Sequence, residues 1–94
     1  MLKIQDIGGR INYRNGGYQV DLTRTGVEDK DLKVLQHIVN LKVVELEGTQ
    51  ITNEGLEHLE AIETLVGVSV QRTRVTREGV QKLKVALPKA DVRL

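Results

Sequence analysis

Ninety-four residues with no Cys, Phe or Trp and only two tyrosines, Tyr13 and Tyr18, make one small domain with an aliphatic core, and exclude disulfides, thiol chemistry and cysteine-ligated zinc. The lack of Cys fits a reducing compartment. With neither a signal peptide over 1–9 nor an apolar run of membrane-spanning length, the chain is expected to be soluble, in the cytoplasm and away from membranes. A formal net charge of +1 conceals segregation, because residues 25–70 carry nine acids against three bases while 71–94 carry seven bases against two acids.

In chain order, residues 2–9 read as the last turns of a helix stopped at Gly8-Gly9. So brief a helical stub implies a chain cut from something longer. Residues 10–22 then alternate around Asn15-Gly16, the two-residue turn of a β-hairpin that pairs Tyr13 with Tyr18 and Ile11 with Val20. Since Val20 and Leu22 should face the core, the two tyrosines and Ile11 are expected on that same face, capping the end of the fold. A strand over 20–22 follows, with a helix start that is less clear.

The next stretch is easier to read. Around Val44 and Leu46 apolar and polar residues alternate, the period of a short strand with one buried face. Gly48 and Thr49 turn the chain, and Thr52 or Asn53 is a good N-cap ahead of Glu54. Leu56, Leu59, Ile62 and Leu65 fall on one side and Glu54, Glu57, Glu60 and Glu63 on the other, which predicts an amphipathic helix of two to three turns. A third copy repeats this around Val68 and Val70, Pro88 stops its helix, and 91–94 supplies a last strand with an unprotected edge.

These segments share a fixed period of 24 residues. Val20, Val44 and Val68 are in phase, as are Leu22, Leu46 and Val70, Thr25, Thr49 and Thr73, and Leu35, Leu59 and Leu83. Such a period predicts stacked strand-turn-helix units over 20–43, 44–67 and 68–91, with 1–22 as cap and 92–94 as terminal strand, all in one domain. Leu41-x-x-Val44-x-Leu46-x-x-Thr49-x-Ile51, and again Leu65-x-x-Val68-x-Val70-x-x-Thr73-x-Val75, resemble the leucine-rich repeat pattern. Ile51-Thr-Asn-Glu-Gly55-Leu56 and Val75-Thr-Arg-Glu-Gly79-Val80 are similar to the V-T-D-x-G-L segment of bacterial repeats akin to the cysteine-containing class. The first copy departs, with Gly17 at the first Leu position and Asp31 at the helix-opening Gly. The resemblance covers roughly 18–94. It implies an α/β, right-handed leucine-rich repeat solenoid with parallel strands on a concave face, helices on a convex face and an N-terminal hairpin cap, and it implies binding of other macromolecules.

No residue pattern asks for catalysis or a cofactor. Ser69 lacks the second glycine of a nucleophile elbow, His37 and His58 occupy different phases with no metal-ligand partner, and the Gly pairs miss phosphate-loop spacing. The threonine column is expected to bridge successive turns at the strand ends. The basic C-terminal third has no aromatic residue to stack a base, which weighs against nucleic acid.

Recognition is therefore expected on the outward strand positions and their rim: Asp21, Glu45 and Ser69; Thr23, Glu47 and Gln71; and Arg24, Arg72 and Arg74. Three to four strands about 4.8 Å apart give a strip only about 10–15 Å wide. That is small against the roughly 800 Å² per partner of a standard interface. The expected function is a non-enzymatic module that binds a protein or peptide; the alternative is a structural cap or self-association unit of a larger leucine-rich repeat protein, a homodimer through strand edge 91–94.

Overall fold

Val20, Val44, Val68 and Val92, one period apart in sequence, are register partners on four adjacent parallel strands of the computed structural model, which describes residues 4–94. The strands are β2 (Gly17–Asp21), β3 (Leu41–Glu45), β4 (Gly67–Ser69) and β5 (Asp91–Arg93). A further strand, β1 (Arg10–Arg14), pairs antiparallel with β2, so the sheet order is β1-β2-β3-β4-β5. Valine suits the inward positions because its branched side chain fills a pleated, covered surface. Beyond the assigned strands the ladder continues: Leu22, Leu46 and Val70 donate their N–H groups to Glu45, Ser69 and Arg93 carbonyls, each at 2.8 Å. All three of these side chains are buried.

The expected right-handed solenoid with concave and convex faces is not what forms. The chain is a compact α/β unit measuring 30 × 27 × 20 Å, built on a mixed sheet in which one pair is antiparallel and the rest parallel. The physical reason lies in the number of periods. Four parallel strands about 4.8 Å apart extend only about 15 Å, so stacking gives no axis longer than the width of the strand and helix layers together. The antiparallel β1 then adds a strand that belongs to none of the three periods.

The helical layer also differs from expectation, and the apolar spacing explains how. Only Asn53–Glu57 is α-helical in the second copy (α1); beyond it Leu59, Ile62 and Leu65 donate N–H groups to Leu56, Leu59 and Ile62 carbonyls, each three residues back. In the first copy Asp29–His37 is a 3-10 helix burying Leu32 and Leu35. Both copies place apolar residues every third position, which matches a helix of three residues per turn. The third copy forms a true α-helix, α2 (Arg77–Ala86), and Leu87 N–H reaches the Leu83 carbonyl four residues back. There the buried residues are Leu83, Leu87 and Ala90, not the phase-matched Ala86 and Lys89, which are exposed.

The threonine column does not join successive turns. Thr25, Thr49 and Thr73 each donate to the carbonyl three residues back, on Leu22, Leu46 and Val70, at 2.6–2.7 Å, closing their own turns. The bridges between units lie at the helix starts instead. Thr52 donates its N–H and hydroxyl to the Asp29 carboxylate at 2.8 and 2.6 Å. One period on, Thr76 N–H donates to Asn53 Oδ1 at 3.0 Å and Asn53 Nδ2 donates to Thr76 Oγ1 at 2.9 Å. These bridging side chains lie over the next helix: a Cβ on Gly55 would stand 2.5 Å from Asp29 Oδ1, and one on Gly79 would collide with Asn53. Glycine at 55 and 79 is thus required by the bridge. Among the described residues no earlier bridge covers position 31, where Asp31 accepts the Glu28 N–H in a capping box.

At the N-terminal end the hairpin has the register set by its Asn15-Gly16 turn, with both turn residues at positive φ. The tyrosines, however, do not fill the core. Tyr13 is 66% and Tyr18 36% exposed, and they pack edge-on against each other with ring centroids 5.0 Å apart. Ile4, on a 3-10 helix at Ile4–Ile7, is the buried residue that lies against Gly9 and Leu22. Of the helix end expected over 2–9, residues 2 and 3 lie outside the described residues; the glycine stop is present as Gly8, φ 88°.

Candidate interaction surface

Side chains alternate across a strand, so the register that buries the valines also defines what lies on the outer face. One row runs Arg10, Asp21, Glu45, Ser69, Arg93, and the next runs Asn12, Gln19, Val43, Gly67, Asp91. Past the strand ends, Arg24 N–H bonds the Glu47 carbonyl at 2.9 Å and Gly48 N–H bonds the Gln71 carbonyl at 3.0 Å. These bonds carry the row Thr23, Glu47, Gln71 alongside the first two.

The acidic side chains are held from within this face. Thr23 N–H donates to Asp21 Oδ1 at 3.0 Å, and Gln19 Nε2 donates to Glu45 Oε1 at 2.8 Å. Hydrogen bonding from Thr23, first through its side chain and then through its backbone, keeps the Asp21 carboxyl below its ordinary range; burial opposes this, and Glu45 and Arg10 add smaller effects in the lowering direction. At the far side Arg93 Nε lies 3.5 Å from Asp91 Oδ2.

Between these polar groups the face is apolar. Val43, Glu45, Val66, Gly67, Val68, Ser69, Asp91 and Arg93 line a shallow depression of about 280 Å³. A neighbouring one of about 350 Å³, which shares Val43 and Val66, extends to Gln19, Gly17 and Arg14. Gly67 leaves the floor open, since a Cβ there would meet only Val43 at van der Waals distance, 3.7 Å. Outward reasoning from the acidic columns missed Val43, Val66, Gly67, Asp91 and Arg93. For Val43 the available signal was an apolar residue at a phase where Gln19 and Asp91 are polar.

The expected rim divides. Arg24 and Arg72 occupy the turn position shared with Gly48, and all three have positive φ, 59°, 58° and 72°. The Arg24 stem leans toward Gly48, its Cγ 3.1 Å from where a Cβ would stand. Arg74 lies beyond the turn with its N–H on the Ile51 carbonyl at 3.0 Å. Among the described residues none of these three arginines forms an ion pair.

The residues set aside in the sequence fall on two different layers, Ser69 on the sheet and the histidines on the helical segments, where Gln36 Nε2 donates to the His58 carbonyl at 2.8 Å. Ser69 is half-buried on the outer face, His37 ends the 3-10 helix, and His58 caps α1. Among the described residues no three His, Cys, Asp or Glu side chains gather as metal ligands, and no helix is long and apolar enough to cross a membrane. Set against protein-family models and curated proteins, the chain matches none.

Proposed function

We propose that this protein is a non-enzymatic interaction module that binds an extended segment of a protein or peptide across the outer face of its sheet. The observation that supports it is the depression at Val43, Val66 and Gly67, an apolar floor bordered by Glu45, Ser69, Asp91 and Arg93. Apolar area supplies binding free energy and the bordering charges fix orientation and exclude wrong partners. The face is narrow, which suits an extended segment better than a globular surface. The likeness of 41–51 and 65–75 to leucine-rich repeats points the same way, since such repeats usually bind macromolecules. The lack of Cys favours a reducing compartment such as the cytoplasm.

Capture from the native source tests this with wild type and three variants side by side. A partner held by wild type should be lost by Glu45→Ala with Glu47→Ala, and by Val66→Lys, without a fall in melting temperature. It should be kept by Glu57→Ala with Glu60→Ala on the helical side. The reverse pattern would move the site to the helices. A second reading, self-association through β5, is favoured by the half-covered Val92 and by Leu94, 52% exposed, at the open side of the sheet. Sedimentation showing a monomer at high micromolar concentration in low and high salt would remove it.

A further inference from the structure

β1 is the outermost strand on its side of the sheet, and all five of its residues are exposed. Hairpin parity decides which backbone groups are free. The two-residue turn makes Arg14 and Gly17 a hydrogen-bonded pair, so Asn12 with Gln19 and Arg10 with Asp21 are the next, and Ile11 and Tyr13 point their N–H and C=O groups away from β2. The other side of β2 obeys the same parity, with Tyr18 N–H on the Asn40 carbonyl and Leu22 N–H on the Glu45 carbonyl, both at 2.8 Å. No strand lies beyond β1 among the described residues. Two donors and two acceptors therefore stand on an open edge.

The side chains around that edge are of two kinds. Ile11, Tyr13 and Tyr18, at 37%, 66% and 36% exposure, form an apolar patch on one face. Arg10 and Arg14 flank Asn12 on the other. Edges are commonly blunted by proline, bulges or charge. β1 has no proline, and its pairing with β2 is unbroken, which leaves the arginines as the protection. That protection is selective. The antiparallel register that would satisfy every free group in a second copy sets each Arg10 opposite an Arg14, a like-charge pairing that opposes self-association. The same arginines attract a strand of opposite charge.

We infer that the edge of β1 accepts an acidic, extended peptide as an added antiparallel strand, with carboxylates opposite Arg10 and Arg14 and alternate apolar residues against Ile11, Tyr13 and Tyr18. Main-chain bonds would supply affinity, and the alternating faces specificity. Arg14 and Tyr18 also border the neighbouring depression, but the open edge of β1 lies outside the floor at Val43, Val66 and Gly67 and does not depend on it.

The probe is a blocked Glu-Val-Glu-Val-Glu peptide, compared with Lys-Val-Lys-Val-Lys, titrated into isotope-labelled protein and followed by amide chemical shifts. The acidic peptide should bind more tightly, moving the Ile11 and Tyr13 amides most, and should weaken as salt rises. Ile11→Pro deletes an outward N–H while leaving the β1–β2 ladder intact. It should weaken binding about tenfold, the equivalent of one good hydrogen bond. Arg10→Glu with Arg14→Glu should reverse the preference to the lysine peptide. Equal binding of both peptides, undiminished binding by Ile11→Pro, or shifts confined to Val43 and Gly67 would each overturn the inference. So would a dimer in sedimentation that Ile11→Pro converts to monomer.

Discussion

Replacing Gly55 by Ala isolates the bridge between the first two helical segments. On propensity alone the change should help, since alanine in a helix is favoured over glycine by about 1 kcal/mol. The bridge reverses the sign. The new Cβ would stand 2.5 Å from Asp29 Oδ1 and 3.1 Å from Leu32 Cδ1, so Asp29 must turn away and give up its two bonds to Thr52. Hydrogen bonds to a charged group contribute about 1.5–3 kcal/mol each. Losing most of two, less the propensity gain, predicts a net loss of about 2–4 kcal/mol, read as a melting point lower by about 10 °C or more in a domain of this size. The decisive assay is a double-mutant cycle in urea. With Asp29→Ala already in place the clash is gone, and Gly55→Ala should be neutral within about 0.5 kcal/mol, the remaining approach to Leu32 offsetting the propensity gain. Additive costs in the two backgrounds would refute the bridge as the reason for glycine at this position.

Three other outcomes follow from the same geometry. Leu46→Ala and Leu59→Ala, both fully buried, should each lower stability by about 2–5 kcal/mol in denaturant unfolding, whereas Glu57→Ala, whose pair with Lys82 at 2.9 Å is on the open surface, should change little. Arg72→Gly exchanges a strained left-handed arginine for a residue at ease with that conformation. The relief of about 1–2 kcal/mol is nearly offset by the freer unfolded chain, so stability should stay level or rise slightly; a clear loss would mean that the guanidinium contributes a stabilising contact. Because the folded pKa of Asp21 lies below its ordinary value, the group contributes stability that is present above the unfolded pKa, near 4, and is lost as pH falls through the folded one. Asp21→Asn should therefore shorten the acid limb of the unfolding midpoint below about pH 4, and an unchanged limb would contradict the role given to Thr23.

The strand half of each period could be read directly. Val20, Val44, Val68 and Val92 pair as their phase requires, and Asn15-Gly16 dictated a hairpin register that a single slip would have inverted. The overall shape could not, because a period states what stacks on what and not whether the stack outgrows its own thickness. The tyrosines were placed correctly by register but not by burial: alternation says which way Tyr13 points, not whether anything covers that side. The threonines are a case of right residue and wrong partner, since a hydroxyl can close its own turn or reach the next, and chain geometry favours the nearer carbonyl. On the outer face the charged columns drew attention, while Val43 and Val66 looked like variation within a pattern. Only the register shows that they share a floor with Gly67.

The difference between the helical segments shows how the two halves of a period are constrained. The β2–β3 ladder absorbs one irregularity, between Tyr18 and Gln19, but past it the parallel pairing fixes the strand residues, and a slip of one position there would turn every buried valine outward. The return path has no such requirement; it must only cover the length of the strand layer and bury an apolar face. Nine residues of 3-10 helix at about 2.0 Å rise span about 18 Å, and ten of α-helix at about 1.5 Å span about 15 Å. Either route brings the chain back to start the next strand. That tolerance lets the third copy bury Leu87 and Ala90 one position late and still deliver Val92 in register with Val68. The apolar spacing selects between the two routes. Leu32, Leu35 and Ile38, like Leu56, Leu59 and Ile62, recur every three residues and line one edge only if three residues make a turn. Leu83 and Leu87 are four apart and share a face only in an α-helix. Inserting one residue between Leu59 and Ile62 is thus a change that the fold has the means to absorb, by converting the 3-10 turns after α1 into a longer α-helix.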